Sequence, residues 1–173
     1  MTKTARKPHG QTRALKHFAP KPEPDKLANA KAQGQAQFES IKEMVEELDR
    51  FRNDNAGGMD SSIEDAEQRI HEDTLSVSVR SGWYNPCDAG KDTAPAEYEI
   101  LLCTGGPAVR LIGELDGHGQ PESCRMEVQD WFQPWAEYRP IAGYRGTGKN
   151  RYATYDSEKT LLAYARCFYF GEG

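Results

Sequence analysis

From about Ala32 to Arg52, apolar residues recur every three or four positions. Phe38, Ile41, Val45 and Leu48 form one stripe, and Met44 and Phe51 widen it. That period predicts an amphipathic helix. Its opposite side carries Glu39, Lys42, Glu43, Glu46, Glu47 and Asp49, with Lys42 and Glu46 one turn apart. The run from Asn53 to Gly58 breaks the helix. A second helix is expected to begin after Ser61 or Ser62, each succeeded three residues later by a carboxylate (Glu64, Asp65) as in a capping box. Ile63, Ala66 and Ile70 give it an apolar stripe that ends near His71 to Asp73.

From Leu75 the period changes to two. Leu75, Val77, Val79 and Trp83 alternate with polar residues and predict a half-buried strand with these four facing inward. Further strands are expected over Tyr98–Cys103, over Val109–Leu115, and from Cys124 to Trp131 with Cys124, Met126 and Val128 inward. The aromatic-rich run Thr160–Phe170 reads as a last strand. Turns rich in Gly and Pro at Thr104–Pro107 and Asp116–Pro121 keep two of the connections short. An antiparallel meander of four or five strands is therefore expected. Helices first and strands afterwards predict an α+β fold, with two N-terminal helices packed on one sheet. The expected organisation is an arm over 1–32 and a single domain over 33–173, helical to residue 73 and sheet from residue 74.

Charge sharpens that division. The 173-residue chain carries a net −5, but residues 1–32 hold eight Lys/Arg against two acids, a net +6. The remainder is −11, of which −8 falls between Gln37 and Asp73. Residues 1–30 contain Pro20, Pro22 and Pro24 and almost no large apolar groups, so the arm is expected to be disordered alone. Lys3, Arg6, Lys7, Arg13 and Lys16 make it a candidate phosphate-binding segment. No long apolar run or secretory leader is present, which predicts a cytoplasmic protein that does not engage a membrane. The four cysteines are widely spaced with no CxxC pair. Cys103, Cys124 and Cys167 read as small core residues with reduced thiols.

Candidate binding chemistry lies between Trp131 and Tyr155, where seven of the 17 aromatic residues fall within 25 positions. Trp131, Trp135, Tyr138 and Tyr144 are interleaved with Arg139, Arg145, Lys149 and Arg151. Aromatic faces stack on bases while cationic groups take phosphates, so the mixture suits a single-strand platform. It suits core packing or a protein-binding hot spot as well. Gly143 to Lys149 matches GxxxxGK, the front of a phosphate-binding loop. Asn150, however, replaces the hydroxyl residue that would hold magnesium, and no buried strand precedes the motif. A Gly-rich turn is the expected reading. His9, His17, His71 and His118 are scattered, and no nucleophile signature or ligand spacing points to a catalytic centre, metal or cofactor.

Four segments carry a family resemblance: Ser78–Tyr84, the Glu97–Asp116 hairpin, Gln129–Trp135 and Leu162–Gly171. Through them, the stretch from Ile63 to Gly171 resembles a family of uncharacterised proteins encoded in tailed phages and prophages of proteobacteria. The resemblance implies a phage or prophage setting in a bacterial host, with no established activity and no site residues to carry over. The expectation is a non-enzymatic accessory protein acting at nucleic acid or on a nucleic-acid-processing host or phage protein. The alternatives are an inhibitor of a host defence or DNA-processing enzyme that offers the acidic helices (Glu43, Glu46, Glu47, Glu67) as a phosphate mimic, a virion structural or assembly protein, and a nucleotide hydrolase using Lys149.

Overall fold

The computed structural model describes residues 25–54, 61–83, 85, 87 and 94–171. The expected arm charges from Lys3 to Lys16 lie outside the described residues. The 3.6-residue stripe forms α1 (Ala28–Asp54), which begins inside the segment expected to be arm. Asp25 sits just before it: its Oδ1 accepts from the Leu27 N–H at 3.0 Å and its Oδ2 pairs with Lys31 at 2.7 Å. Gly34, Phe38, Ile41, Met44, Val45 and Leu48 are buried along one face. Helix α2 (Ser61–Glu72) turns back on α1 and buries Ala66 and Ile70. Two ion pairs join the helices, Arg69–Glu47 at 2.7 Å and Arg52–Glu67 at 2.9 Å.

The sheet is a five-stranded antiparallel meander of β1 (Ser76–Ser81), β2 (Pro95–Cys103), β3 (Ala108–Glu114), β4 (Arg125–Gln129) and β5 (Ala136–Tyr138), in that order. The α+β architecture with two N-terminal helices is thus the one the periodicities predict. Cross-strand partners share a face. Tyr98, Ile100, Val109, Leu111, Met126 and Val128 accordingly line the side covered by α1. The other side is polar. Arg110 on β3 reaches Glu99 on β2 at 2.6 Å and Glu127 on β4 at 2.7 Å, and Arg80 pairs with Glu97. Helix α1 crosses β3 and β4, and its approach requires Gly34. A Cβ there would lie 2.8 Å from Val128 Cγ1 and 2.9 Å from Tyr138 Cδ1.

Three expectations change. The run Thr160–Phe170 is not a strand: Glu158–Ala165 forms a third helix, α3. Leu161, Tyr164, Ala165 and Phe168 recur at helical spacing and are buried against α1 and β4. That period prevails over the β-propensity of the aromatic residues. The fifth strand is instead the short β5. Leu75, Val77, Val79 and Trp83 were expected inward but are exposed, with Val77 and Val79 at 38% and 45%. The two valines do lie on the helix-covered side, opposite Ile100 and Tyr98, but β1 is an edge strand beyond the reach of α1. Finally, Cys167 lies just beyond α3, half-buried, while Cys124 is buried in the core; all four thiols are free.

After β5 the chain forms a separate two-stranded hairpin, β6 (Gly143–Arg145) and β7 (Tyr152–Thr154), before entering α3. The hairpin is held to α1 through the preceding segment. Gln35 Oε1 accepts from the Ile141 N–H at 2.8 Å, and its Nε2 donates to the Ile141 carbonyl at 3.0 Å.

Candidate nucleic-acid interface

The residues between Trp131 and Tyr155 do not form one surface. Trp131 and Phe132 lie in a turn after β4, with ring centroids 6.3 Å apart; Phe132 is fully exposed at a positive φ of 59°. Trp135 belongs to the polar side of the sheet, where the Arg110 guanidinium lies 4.3 Å from its ring centroid. With both ends of that guanidinium on Glu99 and Glu127, Trp135 completes a packed charge cluster. Tyr138 turns toward α1: its hydroxyl donates to Gln35 Oε1 at 3.1 Å, and partial burial raises its pKa. Arg139 is paired with Glu137 at 3.0 Å. Because Tyr138 pairs with Met126 while Ala136 pairs with Val128, β5 carries the chain from the Trp131 end of β4 to its other end. The candidate cluster is divided at that point.

The hairpin keeps the other four candidates together. In its register Tyr144 lies opposite Ala153 and Arg145 opposite Tyr152. Partners share a face, so each side of the ribbon presents one tyrosine and one arginine. On one side Arg151 Cζ is 4.2 Å from the Tyr144 ring centroid. On the other, Arg145 and Tyr152 are neighbours. Tyr144 and Tyr152 are 56% and 59% exposed, far more than packing residues require. Tyr152, one of the seven aromatic residues between Trp131 and Tyr155, joins the candidates here on its position in the ribbon.

The GxxxxGK sequence is the tip of this ribbon. Gly146 and Gly148 adopt φ of 83° and 56°, and a Cβ on Gly146 would collide with the Asn150 carbonyl oxygen. Gly148–Asn150 make one 3-10 turn, in which Arg151 N–H donates to the Gly148 carbonyl at 3.3 Å. Beyond that turn the chain enters β7 and not a helix, so no helix N-terminus faces the loop.

The hairpin gathers cations without nearby acids. From Tyr138 to Tyr155 the chain has four basic residues and no acid. Elsewhere among the described residues most cations are neutralised: Arg52, Arg69, Arg80, Arg110, Arg125 and Arg139 each sit within 4.0 Å of a carboxylate. Arg145, Lys149 and Arg151 do not, and all three are exposed. Arg145 ends β6, Lys149 lies in the 3-10 turn at the tip and Arg151 immediately precedes β7, so all three belong to one hairpin. The acidic helices behave differently. Of the four carboxylates proposed as a phosphate mimic, Glu47 and Glu67 are engaged in the ion pairs between α1 and α2, and Glu46 lies 3.8 Å from Lys42.

Among the described residues, no group of three His, Cys, Asp or Glu side chains is placed to hold a metal ion. No helix among them is long and apolar enough to cross a membrane. No protein-family model, curated protein or solved structure matches this chain.

Proposed function

We propose that this chain is a non-enzymatic accessory protein of phage or prophage origin that acts at nucleic acid, with the β6–β7 hairpin as its contact. The observation that carries this reading is the concentration of Arg145, Lys149 and Arg151, without carboxylate partners, beside the exposed rings of Tyr144 and Tyr152. Phosphates supply the missing negative charge, and bases stack on tyrosine faces without regard to sequence. A narrow two-stranded ribbon with an aromatic on each side suits a single strand, whose bases are free to turn toward protein. The phage setting rests on the family resemblance of residues 63–171. The basic arm adds long-range attraction that raises the rate of encounter.

The test is equilibrium binding of the full chain to single-stranded DNA, double-stranded DNA and single-stranded RNA. It is repeated with Lys3, Arg6, Lys7, Arg13 and Lys16 changed to Gln. The proposal expects single strands to bind more tightly than the duplex, with that preference surviving neutralisation of the arm. Binding that vanishes with the arm charges would assign recognition to the arm and remove it from the hairpin. No binding to any nucleic acid, together with a salt-sensitive complex with a basic protein, would favour the acidic helices.

A further inference from the structure

Strand β1 forms one edge of the five-stranded sheet, and among the described residues no strand lies on its outer side. Every second residue of an antiparallel edge strand turns its N–H and C=O away from its neighbour. β1 therefore offers a row of backbone donors and acceptors to another strand. We propose that a second copy of this chain takes that place, β1 against β1 in antiparallel sense, to give a closed dimer with one ten-stranded sheet. The hairpin follows β5, at the other side of the sheet, so this inference does not rest on the nucleic-acid reading.

The edge lacks the devices that keep such strands unpaired, namely Lys, Pro or a mid-strand bulge. From Ser76 to Arg80 there is no Lys or Pro, the register with β2 is unbroken, and the one charge, Arg80, is already held by Glu97. The same stretch is self-complementary. It is bounded by the start of β1 at Ser76 and by the irregularity between Arg80 and Ser81. A twofold axis through its middle residue pairs all five positions: Ser78 with the partner's Ser78, Val77 with the partner's Val79, and Ser76 with the partner's Arg80. Cross-strand partners share a face, so this register keeps the valines of both copies on the helix-covered side and the serines on the polar side. No like charges meet. A slip of one residue would set valines against serines.

Apolar surface follows the same symmetry. Val77 and Val79 are exposed on the helix-covered side, Leu75 is exposed at one end of β1, and Trp83 is wholly exposed just past the other. Antiparallel pairing brings the valines of the two copies together and sets each Trp83 at the end where the partner's Leu75 lies. A second copy carries its half of this row already ordered on a sheet, whereas a disordered peptide would have to be ordered on binding. The opposite edge, β5, spans only three residues, so association closes at two copies instead of propagating. Five paired residues a side is well below the roughly 20–30 of a standard interface, so the dimer is reversible.

Sedimentation velocity of the full chain over about 5–500 µM, the range of small interfaces, should show monomer passing into dimer. Val79→Lys puts a charge into the paired row at a position already exposed in the monomer. It should leave a monomer throughout that range, with far-UV circular dichroism unchanged. Crosslinking tests the register, in a Cys87→Ser background that removes the exposed native thiol. With diamide as oxidant, Ser78→Cys should form a disulfide-linked dimer, because position 78 meets itself within the Cα separation a disulfide spans. Ser76→Cys, opposite the partner's Arg80, should not. A monomer at every concentration overturns the proposal. So does a dimer that persists in Val79→Lys, or equal crosslinking from positions 76 and 78.

Discussion

Gln35 and Ile141, 106 residues apart, form a two-point pair in which the side-chain amide of one meets the peptide group of the other, at 2.8 and 3.0 Å. The pair works as a one-residue extension of hydrogen bonding from α1 to the segment that enters the hairpin. Replacing Gln35 by Leu leaves a partly buried N–H and C=O without partners and frees the Tyr138 hydroxyl. Urea denaturation should show a loss of about 1–3 kcal/mol, the ordinary cost of stranding such groups. Nucleic-acid affinity should fall as well, because the hairpin loses its anchor. Unchanged stability would mean that the pair is incidental.

Gly34 lies where α1 packs against Val128 of β4 and Tyr138 of β5. The Cβ of Gly34→Ala would meet Val128 and Tyr138 at 2.8 and 2.9 Å, so helix or ring must shift. Alanine raises helix propensity by about 1 kcal/mol, yet overpacking costs about 1–3 kcal/mol. The expected net effect is destabilisation, measured as a lower urea midpoint. A stabilised variant would show that the helix–sheet spacing adapts freely.

Arg110 holds Glu99 and Glu127 together on the polar side of the sheet and stacks on Trp135. Arg110→Met keeps much of the side-chain volume but leaves carboxylates on neighbouring strands without their shared cation. Thermal denaturation should show a loss of about 1–3 kcal/mol that added salt partly restores, because salt screens the repulsion. A salt-independent loss would assign the residue a packing role instead.

Burial pushes the Cys124 thiol up to about 12 from an ordinary 9.0, and burial also raises Tyr98 and Tyr164 above the usual tyrosine value. The folded state thus favours the protonated form of each group. Raised folded-state values mean that this stability is fully present below about pH 9 and is lost as the pH climbs toward 12. Urea midpoints should hold from pH 7 to 8.5 and fall between pH 9 and 10.5, with a shallower fall in Cys124→Ala. In the native protein at pH 8, a thiol reagent should modify exposed Cys87 first and Cys124 only on unfolding.

The long periodic elements were legible because each signal repeats over many residues: seven buried positions in α1, and clean alternation in β2, β3 and β4. Two kinds of feature were not. Over Thr160–Phe170, Tyr164, Phe168 and Phe170 look β-like by type, and only the spacing of Leu161, Tyr164, Ala165 and Phe168 points to the helix that ends at Ala165. β5, β6 and β7 span three residues each, too few for any period to register. The candidate residues divide at the same place. Trp135, Tyr138 and Arg139 are close in sequence to Tyr144 and Arg145, but β5 assigns them to the sheet, to α1 and to Glu137 respectively. The loss of ion-pair partners at Arg145, Lys149 and Arg151 is a three-dimensional property that no linear pattern carries.

The most direct measurement is the salt dependence of single-strand binding by the full chain and by the triple variant Arg145→Ala, Lys149→Ala, Arg151→Ala. Each phosphate contact contributes about 0.7 to the slope of log affinity against log salt for a single strand. Loss of three contacts predicts a slope shallower by about 2, with affinity at low salt reduced at least tenfold. An unchanged slope and affinity, with the variant folded, would contradict the hairpin as the nucleic-acid contact.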